Sequence, residues 1–168
     1  MQLKLGDSIK ELYTEMARKL RSAAIDDSLT FSKKIDLIWS AFEKTNKQAR
    51  ALIDSSLLKS YNEGYSDMEN ALHKNEHKPK RRNLFSLKKP QTATPELKRY
   101  AAEAMAQIRE AGYSAINTLT NSIPRKGGPG KEDKIKTSEL NDFVILAGRI
   151  IRDLEIRIYA AGAEEVPS

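Results

Sequence analysis

Residues 31–72, FSKKIDLIWSAFEKTNKQARALIDSSLLKSYNEGYSDMENAL, decide the fold class. Apolar side chains recur through this stretch at Phe31, Ile35, Ile38, Trp39, Phe42, Ala49, Leu52, Ile53, Leu57, Tyr61, Tyr65, Met68 and Leu72. Steps of three and four residues keep one side of a helix apolar, whereas a strand would alternate at every second residue. Unbroken, the segment would reach about 60 Å at 1.5 Å per residue, a length typical of elongated bundles and coiled coils. Two places weaken it: Asp54-Ser55-Ser56, whose side chains compete for backbone hydrogen bonds, and Gly64.

Working outward, a first helix is expected from Ser8 to about Ala24, opened by the capping-box pattern Ser8-x-x-Glu11 and striped by Ile9, Leu12, Tyr13, Met16, Ala17 and Leu20. Asp26-Asp27-Ser28 form a short turn, which implies an antiparallel neighbour. A third helix starts at Thr94-Pro95-Glu96, with a capping hydroxyl, a proline suited to the first helical position and an acid at the positive end of the dipole. Its stripe is Leu97, Tyr100, Ala101, Ala104, Ile108, Ala111, Ala115 and Leu119, and it ends before Pro124. The fourth helix begins near Ser138 and stops at Gly162, read as a glycine just past the helix end. Leu140, Phe143, Val144, Ala147, Ile150, Ile151, Leu154 and Ile158 form its main stripe. Ile145, Leu146, Ile156 and Tyr159 fall off that stripe, and so wide an apolar surface suggests a central helix or one that also meets a partner. No alternating, β-branched segment remains. The expected fold is all-α, an elongated bundle of about four helices: a hairpin over 1–72, a basic linker over 73–94 and a helical pair over 95–168, together one composite domain.

The chain of 168 residues has a net charge of +6, and all of it sits between Lys74 and Lys89. That stretch holds seven basic residues against one acid, Glu76, and leaves the remainder neutral. The absence of cysteine excludes disulfide scaffolds, thiol catalysis and thiolate zinc sites. The longest apolar run, Phe143 to Ala147, is far short of the ~20 residues of a spanning helix. Met1 to Asp7 lacks an apolar export core, so an intracellular, cytoplasmic setting without membrane insertion is expected.

Catalytic patterns are weak throughout. His73-Lys74-Asn75-Glu76-His77 matches the letters of an inverted zinc-protease motif, but it runs into Lys78-Pro79, where proline disfavours helical geometry. Gly127-Gly128-Pro129-Gly130-Lys131 is followed by Glu132 and has neither the spacing nor the preceding strand of a phosphate-binding loop. The acid pairs Asp26-Asp27, Glu132-Asp133 and Glu164-Glu165 fall in turns or near helix ends, where solvation explains them. The sequence therefore points away from an enzyme and implies no cofactor, no metal and no small-molecule substrate. The basic segment offers more. Lys78, Lys80, Arg81, Arg82, Lys88 and Lys89 suit contact with nucleic-acid phosphates, with Phe85 available to stack. Alternatively, the segment is a solvated linker, or Leu84, Phe85 and Leu87 form an apolar anchor for another protein or for the bundle itself, alongside the interface expected at Ile145, Ile156 and Tyr159.

The segment Leu57 to Asp67, with Tyr61, Gly64 and Tyr65 as its key letters, resembles the helical Tyr-x-x-Gly-Tyr segment of minor head and capsid-associated proteins of tailed phages. The resemblance covers this segment alone and implies a helical component that packs in a virion. Together these readings favour a non-enzymatic structural or interaction protein that assembles through helical faces with itself or another protein. A nucleic-acid-binding module built on residues 74–89 is the alternative.

Overall fold

The structure, a computed structural model, describes residues 4–74, 93–125 and 135–167. These form four helices: α1 (Lys4–Ile25), α2 (Phe31–His73), α3 (Pro95–Ser122) and α4 (Ser138–Glu164), with no strand among the described residues. The chain is all-α, as the periodicity required.

α2 is continuous across the residues expected to weaken it. The Ser55 and Ser56 hydroxyls both donate to the Leu52 carbonyl, at 2.9 and 2.8 Å, so they fold back on their own helix and leave its ladder intact. Thr30 caps α2 by accepting from the Lys33 amide at 3.2 Å, and Thr94 caps α3 by accepting from the Leu97 amide at 3.3 Å.

Helix α1 corrects the expectation at its start. It begins at Lys4, one turn before Ser8, so the Ser8–Glu11 box lies inside the helix. Its free amides find their acceptor elsewhere: the Leu5 N–H donates to Glu155 Oε2 of α4 at 3.1 Å, and Gly6 directs its amide at the same carboxylate. Helix α4 corrects the expectation at its end, because Gly162 lies within the helix and not beyond it.

Helices α2 and α4 share the most extensive contact, and each also packs on α1 and α3. Phe42 meets Phe143 toward one end, with ring centroids 6.3 Å apart, and Tyr61 meets Gly162 toward the other, so α2 and α4 run in the same direction. Helices α1 and α3 run opposite to both. Tyr13 bonds Asn46 of α2 while Leu5 reaches Glu155 of α4; Tyr113 lies on Phe42 while Tyr100 lies under Arg157. The result is an up-down-up-down bundle with one core drawn from all four helices.

The aromatic end of that core is built from Tyr13, Phe42 and Phe143, packed edge to face. The Tyr13 hydroxyl donates to Asn46 Oδ1 at 2.6 Å, which explains how a buried amide is tolerated there. Burial pushes the Tyr13 phenol well above its ordinary value. At the other end the helices meet backbone to backbone. A methyl group on Gly64 would overlap the Tyr159 carbonyl, and one on Gly162 would overlap the Tyr61 carbonyl. The two Tyr-x-x-Gly units, Tyr61 to Gly64 and Tyr159 to Gly162, therefore clasp each other reciprocally. Gly64 is not a weak point in α2 but the notch that admits α4. Gly112 of α3, by contrast, faces the Phe42 and Phe143 rings.

Candidate interaction surface

Helix α4 buries Leu140, Phe143, Val144, Ala147, Ile151, Leu154 and Ile158, the stripe expected from its spacing. The residues off that stripe divide into two groups. Ile145 and Ile156 are 51% and 43% exposed, and Leu146, beside Ile145, is 39% exposed. Spacing places Ile145, Arg149, Arg152 and Ile156 in one outer row, with steps of four, three and four residues. Both arginines are exposed. Arg152 makes only a loose ion pair with Asp7 of α1, at 3.6 Å between two solvated side chains. Tyr159, grouped with these residues in the sequence reading, belongs to the chain's own packing. It is half-buried, and its hydroxyl donates to Asp67 Oδ2 of α2 at 2.6 Å. That carboxylate pushes the phenol above its ordinary value.

The second exposed apolar feature was hidden in the stripe of α2. Met68 and Leu72 continue the periodicity, yet each is 39% exposed. No residue of α2 beyond Tyr65 is buried. The cause is length: Gly162, near the end of α4, is already level with Tyr61, and burial of Leu5 and Leu97 fixes where α1 and α3 begin. The last turns of α2, carrying Met68, Glu69 and Leu72, thus run past the described ends of the other helices, just beyond Asp67, which Tyr159 of α4 holds. Nothing in a single stripe reports where the neighbouring helices stop. The acids flanking Met68 were the available signal.

The carboxylate of Glu155 is the third notable feature. It is 5% exposed on an otherwise apolar side of α4 and caps α1 across the bundle. Burial raises its pKa above the ordinary carboxylate value, more than the Leu5 and Gly6 amides lower it, and the charges of Glu63 and Asp7 add to the rise. It bonds the backbone amides of Leu5 and Gly6, and no group of three His, Cys, Asp or Glu side chains able to hold a metal occurs among the described residues.

The remaining sequence candidates divide by position. Lys78, Lys80, Arg81, Arg82, Leu84, Phe85, Leu87, Lys88 and Lys89 lie outside the described residues, as do Glu76, His77 and Lys131. His73 is exposed at the last position of α2. Arg125 places its guanidinium 5.7 Å from the centre of the Phe31 ring, a packing role at the α2–α3 end of the bundle. No described helix is long and apolar enough to cross a membrane. Comparison with protein-family models, with curated proteins and with solved structures gives no match to this chain.

Proposed function

We propose that this is a non-enzymatic structural protein that assembles through its helical faces, in a macromolecular assembly such as a virion. The observation that carries this reading is the outer row of α4, where Ile145 and Ile156 stay exposed while the helix already buries a complete stripe of its own. A helix needs one apolar side to fold into a bundle; exposed isoleucines beyond that side are surface suited to another protein. The likeness of the Tyr61–Gly64–Tyr65 segment to phage head proteins fits such a role. The test is sedimentation velocity of the full chain beside the Ile145→Asp, Ile156→Asp double variant. The variant is expected to sediment as a monomer, with unchanged far-UV circular dichroism, under conditions where the parent is an oligomer. A parent that is monomeric throughout the micromolar range overturns assembly with itself, and lost helicity in the variant would make those isoleucines part of the core.

A second reading rests on the charge distribution. Because the whole excess of +6 lies between Lys74 and Lys89, the segment is suited to neutralising phosphates on nucleic acid, and steep salt dependence of binding is the signature of that mode. The two readings are compatible within one assembly.

A further inference from the structure

The first turn of α1 is held to the bundle by few contacts. Lys4 and Asp7 are exposed, Leu5 is the turn's one buried apolar side chain, and Gly6 lies against α4, where an added methyl would sit 3.2 Å from the Gly148 carbonyl oxygen. The polar anchor is Glu155, which accepts from the Leu5 amide at 3.1 Å and from the Gly6 amide, donors that a helix start leaves without partners in its own ladder. That anchor is an acid placed among acids. Glu155 is buried, and the charges of other helices that act on it, Asp7 of α1 and Glu63 of α2, have its own sign. Lys4 and Lys59 are exposed, and Arg152, one turn earlier on α4, pairs with Asp7. Tyr159, one turn later, gives its hydroxyl to Asp67, and α3 packs on another side of α4, where Arg157 meets Tyr100 and Glu103. No ion pair among the described residues reaches Glu155.

We propose that the first turn of α1, Lys4 to Asp7, is a proton-controlled latch: it is docked firmly on α4 while Glu155 is protonated and loosens when Glu155 carries its charge. In the charged state the two amides and the positive end of the α1 dipole offset the buried charge, against its desolvation and the repulsion from Asp7 and Glu63. A bound proton removes the desolvation and the repulsion and still leaves an oxygen to accept an amide. When the turn lifts, water reaches the carboxyl and favours its charged form. Burial and like charge therefore raise the pKa in the docked state, so docking is strongest below that raised value and weakens as pH climbs through it. The turn carries Asp7, the partner of Arg152 in the outer row of α4, so its opening also changes the charge which that row presents. The latch stands whether or not the outer row binds a partner.

The experiment is amide hydrogen exchange, read by nuclear magnetic resonance on the full chain from neutrality down to the ordinary carboxylate value of 4.5 and corrected for the intrinsic pH dependence of exchange. Protection of the Leu5 and Gly6 amides is expected to rise by about twofold or more on acidification, while amides in the middle of α1, such as that of Tyr13, keep theirs. In Glu155→Gln, which keeps an acceptor and cannot ionise, the two amides should hold one level of protection across the range, at or above the parent's neutral level. The parent by itself can refute the latch: protection of Leu5 and Gly6 that stays level or falls on acidification overturns it, with no variant needed. A rise shared equally by the middle of α1 also overturns it, because the change would then belong to the whole bundle. So does a Glu155→Gln profile that follows the parent's, which would assign the rise to another group.

Discussion

The two ends of the bundle are packed with opposite materials. At one end Tyr13, Phe42, Phe143 and Trp39 fill the space between helices with rings, spacing the backbones apart and leaving side chains between them to absorb a misfit. At the other, Gly64 and Gly162 let α2 and α4 touch main chain to main chain, with nothing between them to give way. The difference teaches where this molecule tolerates change: ring packing can relax by rotamer and tilt, whereas a backbone contact relaxes only by moving a whole helix.

The sharpest way to break that comparison is to add one methyl group at each end. Gly64→Ala or Gly162→Ala drives a side chain into an opposing carbonyl, and each is expected to destabilise by about 3 kcal/mol or more despite alanine's better helix propensity. Urea unfolding monitored by circular dichroism reads it, and a loss under about 1 kcal/mol would mean that the helices part easily. Gly112→Ala makes the same addition at the aromatic end. There the new methyl would lie 2.5 Å from two ring carbons of Phe42, and movement of that ring limits the expected loss to about 1–2 kcal/mol. Equal losses at Gly64 and Gly112 would abolish the distinction between the ends.

The smallest effect concerns the glycine end's polar contact. Glu155→Leu removes the acceptor of the Leu5 and Gly6 amides and is expected to cost about 1–2 kcal/mol. Glu155→Gln keeps an acceptor oxygen and removes a buried charge, so its stability at neutral pH should equal or slightly exceed the parent's. The sign with pH follows from the raised pKa: the folded state holds this proton more tightly than the unfolded chain does. The parent should therefore gain stability relative to Glu155→Gln as pH falls from neutrality through the raised value toward the ordinary 4.5. Thermal melts at stepped pH on both proteins measure that difference, and a relative loss on acidification would reverse the assigned direction.

How much of this was legible in the sequence depends on the range of the interaction. Thr94 and Pro95 announce the start of α3 because the capping hydroxyl and the amide it satisfies lie three residues apart. Ser8 and Glu11 carry an equally good local pattern, yet α1 starts before them, because its actual acceptor, Glu155, lies 150 residues away. Gly64 and Gly162 look alike in sequence to a weak point and a helix stop; only the pairing of α2 with α4 shows them as a clasp. The same holds for the candidate surface. Ile145 and Ile156 could be found because they break the period of their own helix, whereas Met68 and Leu72 keep theirs and are exposed only because the other helices end sooner.

The clasp also bears on how the chain acquires its shape during synthesis. A hairpin of α1 and α2 forms from near neighbours in sequence, but the groove of α2 at Gly64 stays open until the segment around Tyr159 has left the ribosome. Through most of translation, therefore, the part of α2 that α4 covers has only α1 beside it, and a nascent chain that stalls before α4 exposes that part to chaperones or to other nascent copies.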